Sequence, residues 1–137
     1  MIDLTECEKY YLVNVEVDKY RIKSIVERAK QRQDVISSLE LNEITVSFIV
    51  EGYYEVIKEL LVAYLLHNGL RSNNHKCLIA YFYKQNPIYE REAYLMEKLS
   101  YFRNRLNYYG EKIPQEFFEN KRKQIFKIIK IIEDLTF

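Results

Sequence analysis

Apolar residues return at three- and four-residue steps along five stretches of the chain, each bounded by capping or helix-breaking residues, and this pattern predicts an all-α protein. The first stretch runs from the N-cap candidate Asp18 to about Leu39, with Ile22, Ile25, Val26, Ala29, Ile36 and Leu39 on one face and solvated charges on the other. Asn42 offers the next cap. From about Glu43 to Asn68, Ile44, Phe48, Ile49, Tyr53, Val56, Ile57, Leu60, Leu61, Tyr64 and Leu65 spread over so much of the surface that this helix must be covered on several sides. Gly69 followed by Leu70 fits a Schellman stop. Ser72 is the cap expected for a shorter helix over Asn73 to Lys84, broken by Gln85, Asn86 and Pro87. A fourth helix is expected from about Tyr89 to Tyr109, closed by Gly110. Leu95, Leu99, Phe102 and Leu106 form its core face, and Tyr94, Lys98, Tyr101, Arg105 and Tyr108 form a second stripe. Pro114 suits the first turn of the last helix, whose apolar face is Phe118, Ile125, Ile128, Ile129, Ile132 and Leu135. Residues 1–17 fit no helix. Val13, Val15 and Val17 alternate with Asn14 and Glu16, so this part reads as an extended lead-in packed along the bundle or across a partner subunit.

Length and composition narrow the picture. At 137 residues the chain is one domain, with residues 18–135 as its helical body, and is large enough to fold on its own core. Three glycines and two prolines leave little material for a turn-rich sheet fold, while 13 tyrosines exceed what a core needs and suggest amphipathic contact surface. Cys7 and Cys77 are far apart and form no Cys-x-x-Cys. Neither a disulfide framework nor a zinc site is expected, and the setting reads as reducing and cytoplasmic. There is no signal-peptide pattern, and the apolar run Leu60 to Leu66 is too short to span a membrane. The net charge of +1 conceals an uneven distribution: residues 98–130 hold nine Lys or Arg against three Asp or Glu. Lys121, Arg122, Lys123, Lys127 and Lys130 belong to that surplus and read as the wet side of the last helix.

The candidate chemistry is concentrated at the end of the fourth helix. Arg103, Asn104, Arg105, Asn107, Tyr108 and Tyr109 crowd two cations, two amides and two phenols into its last turns. Cations near a helix C-terminus complement the macrodipole, which explains one arginine better than the whole group. Glycine-rich phosphate loops, Gly-x-Ser-x-Gly, His-Glu-x-x-His and calcium-loop patterns are absent, the cysteines have no activating neighbour, and no metal or cofactor is expected. His75, in the first turn of the third predicted helix, reads as a surface or capping histidine, and His67 likewise.

Arg103 followed by the polar Asn104, set among helices of this order and length, resembles the HEPN domains over roughly Asp18 to Leu135. The mark of that family is an arginine, a polar residue and, after four to six intervening residues, a histidine. Here the histidine slot falls on Tyr108, Tyr109 or Gly110. The resemblance implies an up-and-down antiparallel bundle of four to five helices that forms a homodimer with two motifs in one cleft. It also implies, for many active members, metal-independent RNA cleavage, in which arginine holds a phosphate and histidine moves a proton. By carry-over Arg103 binds phosphate, Asn104 orients it, and Tyr108 stands at the proton-transfer position. Tyrosine has an unperturbed pKa of about 10, which makes it a poor base at neutral pH but a workable donor.

Three readings stay open. The first is a dimeric module in which Lys98, Tyr101, Arg103, Arg105, Tyr108 and Tyr109 engage a nucleotide or RNA. The resemblance pairs such modules with a minimal nucleotidyltransferase in toxin and antitoxin systems, where Tyr108 or Tyr109 would accept a nucleotide. The second is a metal-independent endoribonuclease using Arg103, Asn104 and Tyr108. The third is a helical interaction scaffold in which Arg103 pairs with a carboxylate of another helix and the tyrosines pack at an interface.

Overall fold

The computed structural model describes residues 1 and 3–137. They form six α-helices and one two-stranded sheet: α1 (Leu4–Tyr10), β1 (Val13–Asn14), α2 (Lys19–Ser37), α3 (Val46–His67), β2 (Leu70–Arg71), α4 (His75–Gln85), α5 (Glu90–Tyr109) and α6 (Gln115–Thr136), with a 3₁₀ turn at Pro87–Tyr89 before α5. The organising element is α3. Fourteen of its 22 residues are buried, and α2, α4, α5 and α6 all pack against it, as its broad apolar surface requires. α2 and α6 each offer one apolar stripe, built on Ile22, Ala29 and Ile36 in α2 and on Phe118, Ile125, Ile128, Ile129 and Ile132 in α6. Gly52 lets α2 close on α3, because a Cβ at that position would lie 2.5 Å from Ile36 Cδ1.

Helix ends follow local chemistry. Asp18 caps α2, its Oδ1 accepting from Tyr20 N and Arg21 N at 3.1 Å each. Asn42 caps a turn rather than the helix, accepting from Ile44 N and Thr45 N at 2.9 Å each, and α3 starts later, at Val46. Ile44 therefore lies outside α3, and both it and Phe48 are exposed rather than part of the apolar surface. Asn74, not Ser72, caps α4, while Ser72 Oγ accepts from Asn74 N at 3.1 Å. Pro114 is the extended residue before α6. Gly110 closes α5 in the left-handed region at φ 65°.

Two expectations are corrected. The lead-in is not merely extended. Asp3 caps α1, and β1 pairs antiparallel with β2 through Val13 opposite Arg71 and Asn14 opposite Leu70. Seven residues with one buried side chain are too few to register as a periodicity, and the partner of β1 lies across α2 and α3 in sequence. The cysteines are not separate either: Cys7 of α1 and Cys77 of α4 form a disulfide, with Cα atoms 5.6 Å apart. Their 70-residue separation hid a pairing that the packing of α1 on α4 creates. The cysteine argument for a reducing compartment falls with it. Among the described residues no helix is long and apolar enough to cross a membrane.

Candidate phosphate site at the junction of α3, α4 and α5

Charge is scarce on α3, and where it occurs it falls on one side: Glu51, Glu55, Lys58 and Glu59 follow one another at helical spacing. Glu59 ties α3 to α2 through Arg28 Nε at 3.8 Å and Arg32 Nε at 2.5 Å. Glu55, one turn earlier on the same side, reaches α5 instead. Its Oε2 lies 2.6 Å from Lys58 Nζ, and its Oε1 lies 3.3 Å from Arg103 Nε. All three side chains are about three-quarters buried or more. Arg103 also lies over the Tyr54 ring, with Cζ 5.8 Å from the centroid. The expectation that a helix-end arginine would find a carboxylate on another helix thus holds for Arg103, but the pairing is incomplete. Despite its 3.3 Å approach to Glu55, Arg103 Nε makes no aligned hydrogen bond and is the one buried side-chain nitrogen or oxygen among the described residues without such a partner.

His75, in the first turn of α4, lies within the electrostatic reach of this cluster. It is half-buried rather than a surface residue. Its pKa is lowered first by burial, then by the positive charges of Lys58 and Arg103, with Glu55 pulling weakly the other way. The shift favours the neutral imidazole, in the field of two cations that share a single carboxylate. Tyr54 is held above the usual phenol range by burial, which outweighs the lowering effects of the neighbouring Ser100 hydroxyl and of Arg103. The cluster can accept an anion, and it holds one group able to take a proton near neutral pH.

A cavity of about 510 Å³ opens beside it between α4 and α5, lined by Lys76, Ile79, Glu97, Ser100, Tyr101 and Asn104 together with Met1. Asn104, next to Arg103 in the chain, and Tyr101 thus line the same cavity. Arg105 does not line that cavity. It forms a two-pronged pair with Glu111, in which Nε lies 3.0 Å from Oε2, and it covers the Tyr109 ring at 4.3 Å and the Tyr101 ring at 5.9 Å. Two residues along a helix is more than half a turn, so Arg103 and Arg105 point to different surroundings. Lys98 lies over the Phe117 ring at 5.4 Å, and Tyr108 and Tyr109 are 79% and 68% exposed. Sequence reading overlooked Glu55 and Lys58, and set His75 aside as a surface or capping residue. The available signal was the charged stripe on an otherwise apolar helix, and only the fold could bring His75 to it. Among the described residues no group of three or more His, Cys, Asp or Glu side chains is placed to hold a metal ion. Comparison with family models, curated proteins and solved structures finds no match.

Proposed function

We propose that this chain is a HEPN-like helical bundle, homodimeric, that binds RNA or a nucleotide through a phosphate held by Arg103 and Lys58. The observation that carries the reading is Arg103 itself, a largely buried guanidinium whose Nε lacks a hydrogen bond while its carboxylate partner is shared with Lys58. Nε itself is buried against Glu55, so a phosphate is met by the exposed remainder of the guanidinium and by Lys58, and balances the excess positive charge. Asn104, adjacent to Arg103, faces the neighbouring cavity and meets what the phosphate carries.

A second reading, cleavage of the strand, is favoured by His75. The neutral imidazole takes the proton of a ribose 2′-hydroxyl, whose oxygen attacks phosphorus and displaces the 5′-oxygen. That oxygen leaves with a proton from water, and a 2′,3′-cyclic phosphate remains. Arg103 and Lys58 stabilise the charge gathering on the phosphoryl oxygens. In this reading His75, rather than Tyr108, occupies the proton-transfer role.

The test is a labelled mixed-sequence RNA in EDTA, with binding and cleavage recorded for wild type, Arg103→Ala and His75→Gln. Salt-sensitive binding is expected in wild type, weakened about tenfold in Arg103→Ala with a salt slope shallower by about 0.7. His75→Gln retains binding and, where wild type cuts, loses cutting. RNA that binds Arg103→Ala as tightly as wild type refutes the phosphate site, and cutting unchanged in His75→Gln refutes the histidine's role.

A further inference from the structure

The cavity between α4 and α5 carries chemistry of its own. Its polar residues alternate along the sequence with those of the phosphate cluster: His75 is followed by Lys76 on α4, and Arg103 by Asn104 on α5. Ser100 lines the cavity while its hydroxyl lies beside Tyr54, whose ring lies under Arg103. The two spaces therefore adjoin across one side chain. At about 510 Å³ the cavity falls within the range of small-molecule sites. Its walls are unlike those of a packing defect. Tyr101 contributes an exposed aromatic face, Ile79 an apolar floor, and Lys76, Glu97 and Asn104 contribute side chains that make no hydrogen bond among the described residues. Glu97 has one ionic neighbour, the Met1 amino group, 3.6 Å away and beyond hydrogen-bond distance.

We infer that this cavity is a guanine site, and that with the phosphate cluster it receives a guanosine monophosphate unit, free or within an RNA strand; the phosphate half of this assignment rests on the function proposed above. The choice of base follows from donors and acceptors. A carboxylate such as Glu97 accepts only, and guanine alone among the four RNA bases presents two adjacent donors, N1–H and N2–H, to a single carboxylate. Lys76 donates only and suits the O6 and N7 acceptors on the same base. Adenine and cytosine place an acceptor nitrogen beside their one amino donor, and uracil places one N–H between two carbonyls, so each leaves a lone pair facing Glu97. Tyr101 supplies a stacking face. Asn104, with both a donor and an acceptor, is compatible with any base and adds no selectivity.

The experiment is calorimetric titration of the full chain with GMP, IMP, AMP, CMP, guanosine and ribose 5-phosphate, in wild type and Glu97→Gln, with helicity and melting of the variant checked first. GMP is expected to bind at least about tenfold more tightly than AMP, CMP or IMP, the last of which lacks the N2 amino group. Glu97→Gln brings GMP down to the AMP level and leaves ribose 5-phosphate unchanged. A strand of four adenosines around one guanosine, compared with five adenosines, then distinguishes a base within RNA from a free nucleotide. Ribose 5-phosphate binding with GMP no tighter than AMP overturns the guanine site and leaves the phosphate site standing. Guanosine binding without ribose 5-phosphate binding does the reverse. Failure of every compound to bind overturns both.

Discussion

At the scale of single residues, the histidine is the most informative side chain. Motif reading looked for it five to seven residues beyond Arg103 and found Tyr108, Tyr109 and Gly110, the two tyrosines being largely exposed at the end of α5. The fold instead brings His75 of α4 within the electrostatic reach of Arg103, an encounter between helices that spacing along one helix cannot encode. The environment of His75 has a consequence for stability. Its pKa is lowered by burial and by Lys58 and Arg103, with Glu55 opposing, so the unfolded chain takes up a proton near the ordinary value of 6.5 before the folded chain does. Stability present above that pH is lost as pH falls toward the depressed native value. Wild type should therefore lose more melting temperature than His75→Gln between about pH 7 and pH 5, and parallel profiles would show that the imidazole is not constrained as described. The phosphate reading adds an opposite shift. Inorganic phosphate bound at Arg103 and Lys58 should raise the His75 titration midpoint followed by NMR, whereas sodium chloride at equal ionic strength should not.

At the scale of elements, α4 is the short helix on which the site depends, because its first turn carries His75, Lys76 and Cys77 in succession. Two devices fix that turn. Asn74 caps it, with Oδ1 accepting from Lys76 N at 3.0 Å and Cys77 N at 3.3 Å, and the Cys7–Cys77 disulfide pins it to α1. Because the bridge closes a loop of 70 residues that contains α2 and α3, reduction or the Cys7→Ser/Cys77→Ser pair should lower unfolding free energy by about 2 to 4 kcal/mol. Denaturant melts with and without reductant measure this, and superimposable curves would mean that the bridge contributes nothing. The elements themselves were largely legible: Asp18, Gly69 and Gly110 mark the ends of α2, α3 and α5 because capping is local chemistry. α1 and the β1–β2 pair were not, since a seven-residue helix and two-residue strands gain their stability from what they pack against.

At the scale of the whole molecule, the unused surface of α5 is aromatic. Tyr94, Tyr108 and Tyr109 are each half or more exposed, and Arg105 lies over the Tyr109 ring. Tyrosine and arginine concentrated on one exposed face suit a protein interface. This face is where the proposed homodimer is expected to form. Sedimentation velocity should give about twice the chain mass, with Tyr94→Ser/Tyr108→Ser shifting the population toward monomer; a wild-type monomer at high concentration would exclude the dimer.

The sequence by itself determined that the chain is helical, where five of its six helices lie to within a few residues, and that α3 would be the buried centre, because periodicity, capping and apolar breadth act within a few residues of one another. It also marked Arg103 as unusual. What only the tertiary structure decided is which groups share a space with that arginine. Glu55, Lys58 and His75 come from two other helices, Arg105 turns away to Glu111, and Cys7 meets Cys77 across 70 residues. These are encounters between surfaces, set by how α4 and α5 pack on α3, and no local pattern of residues carries that information.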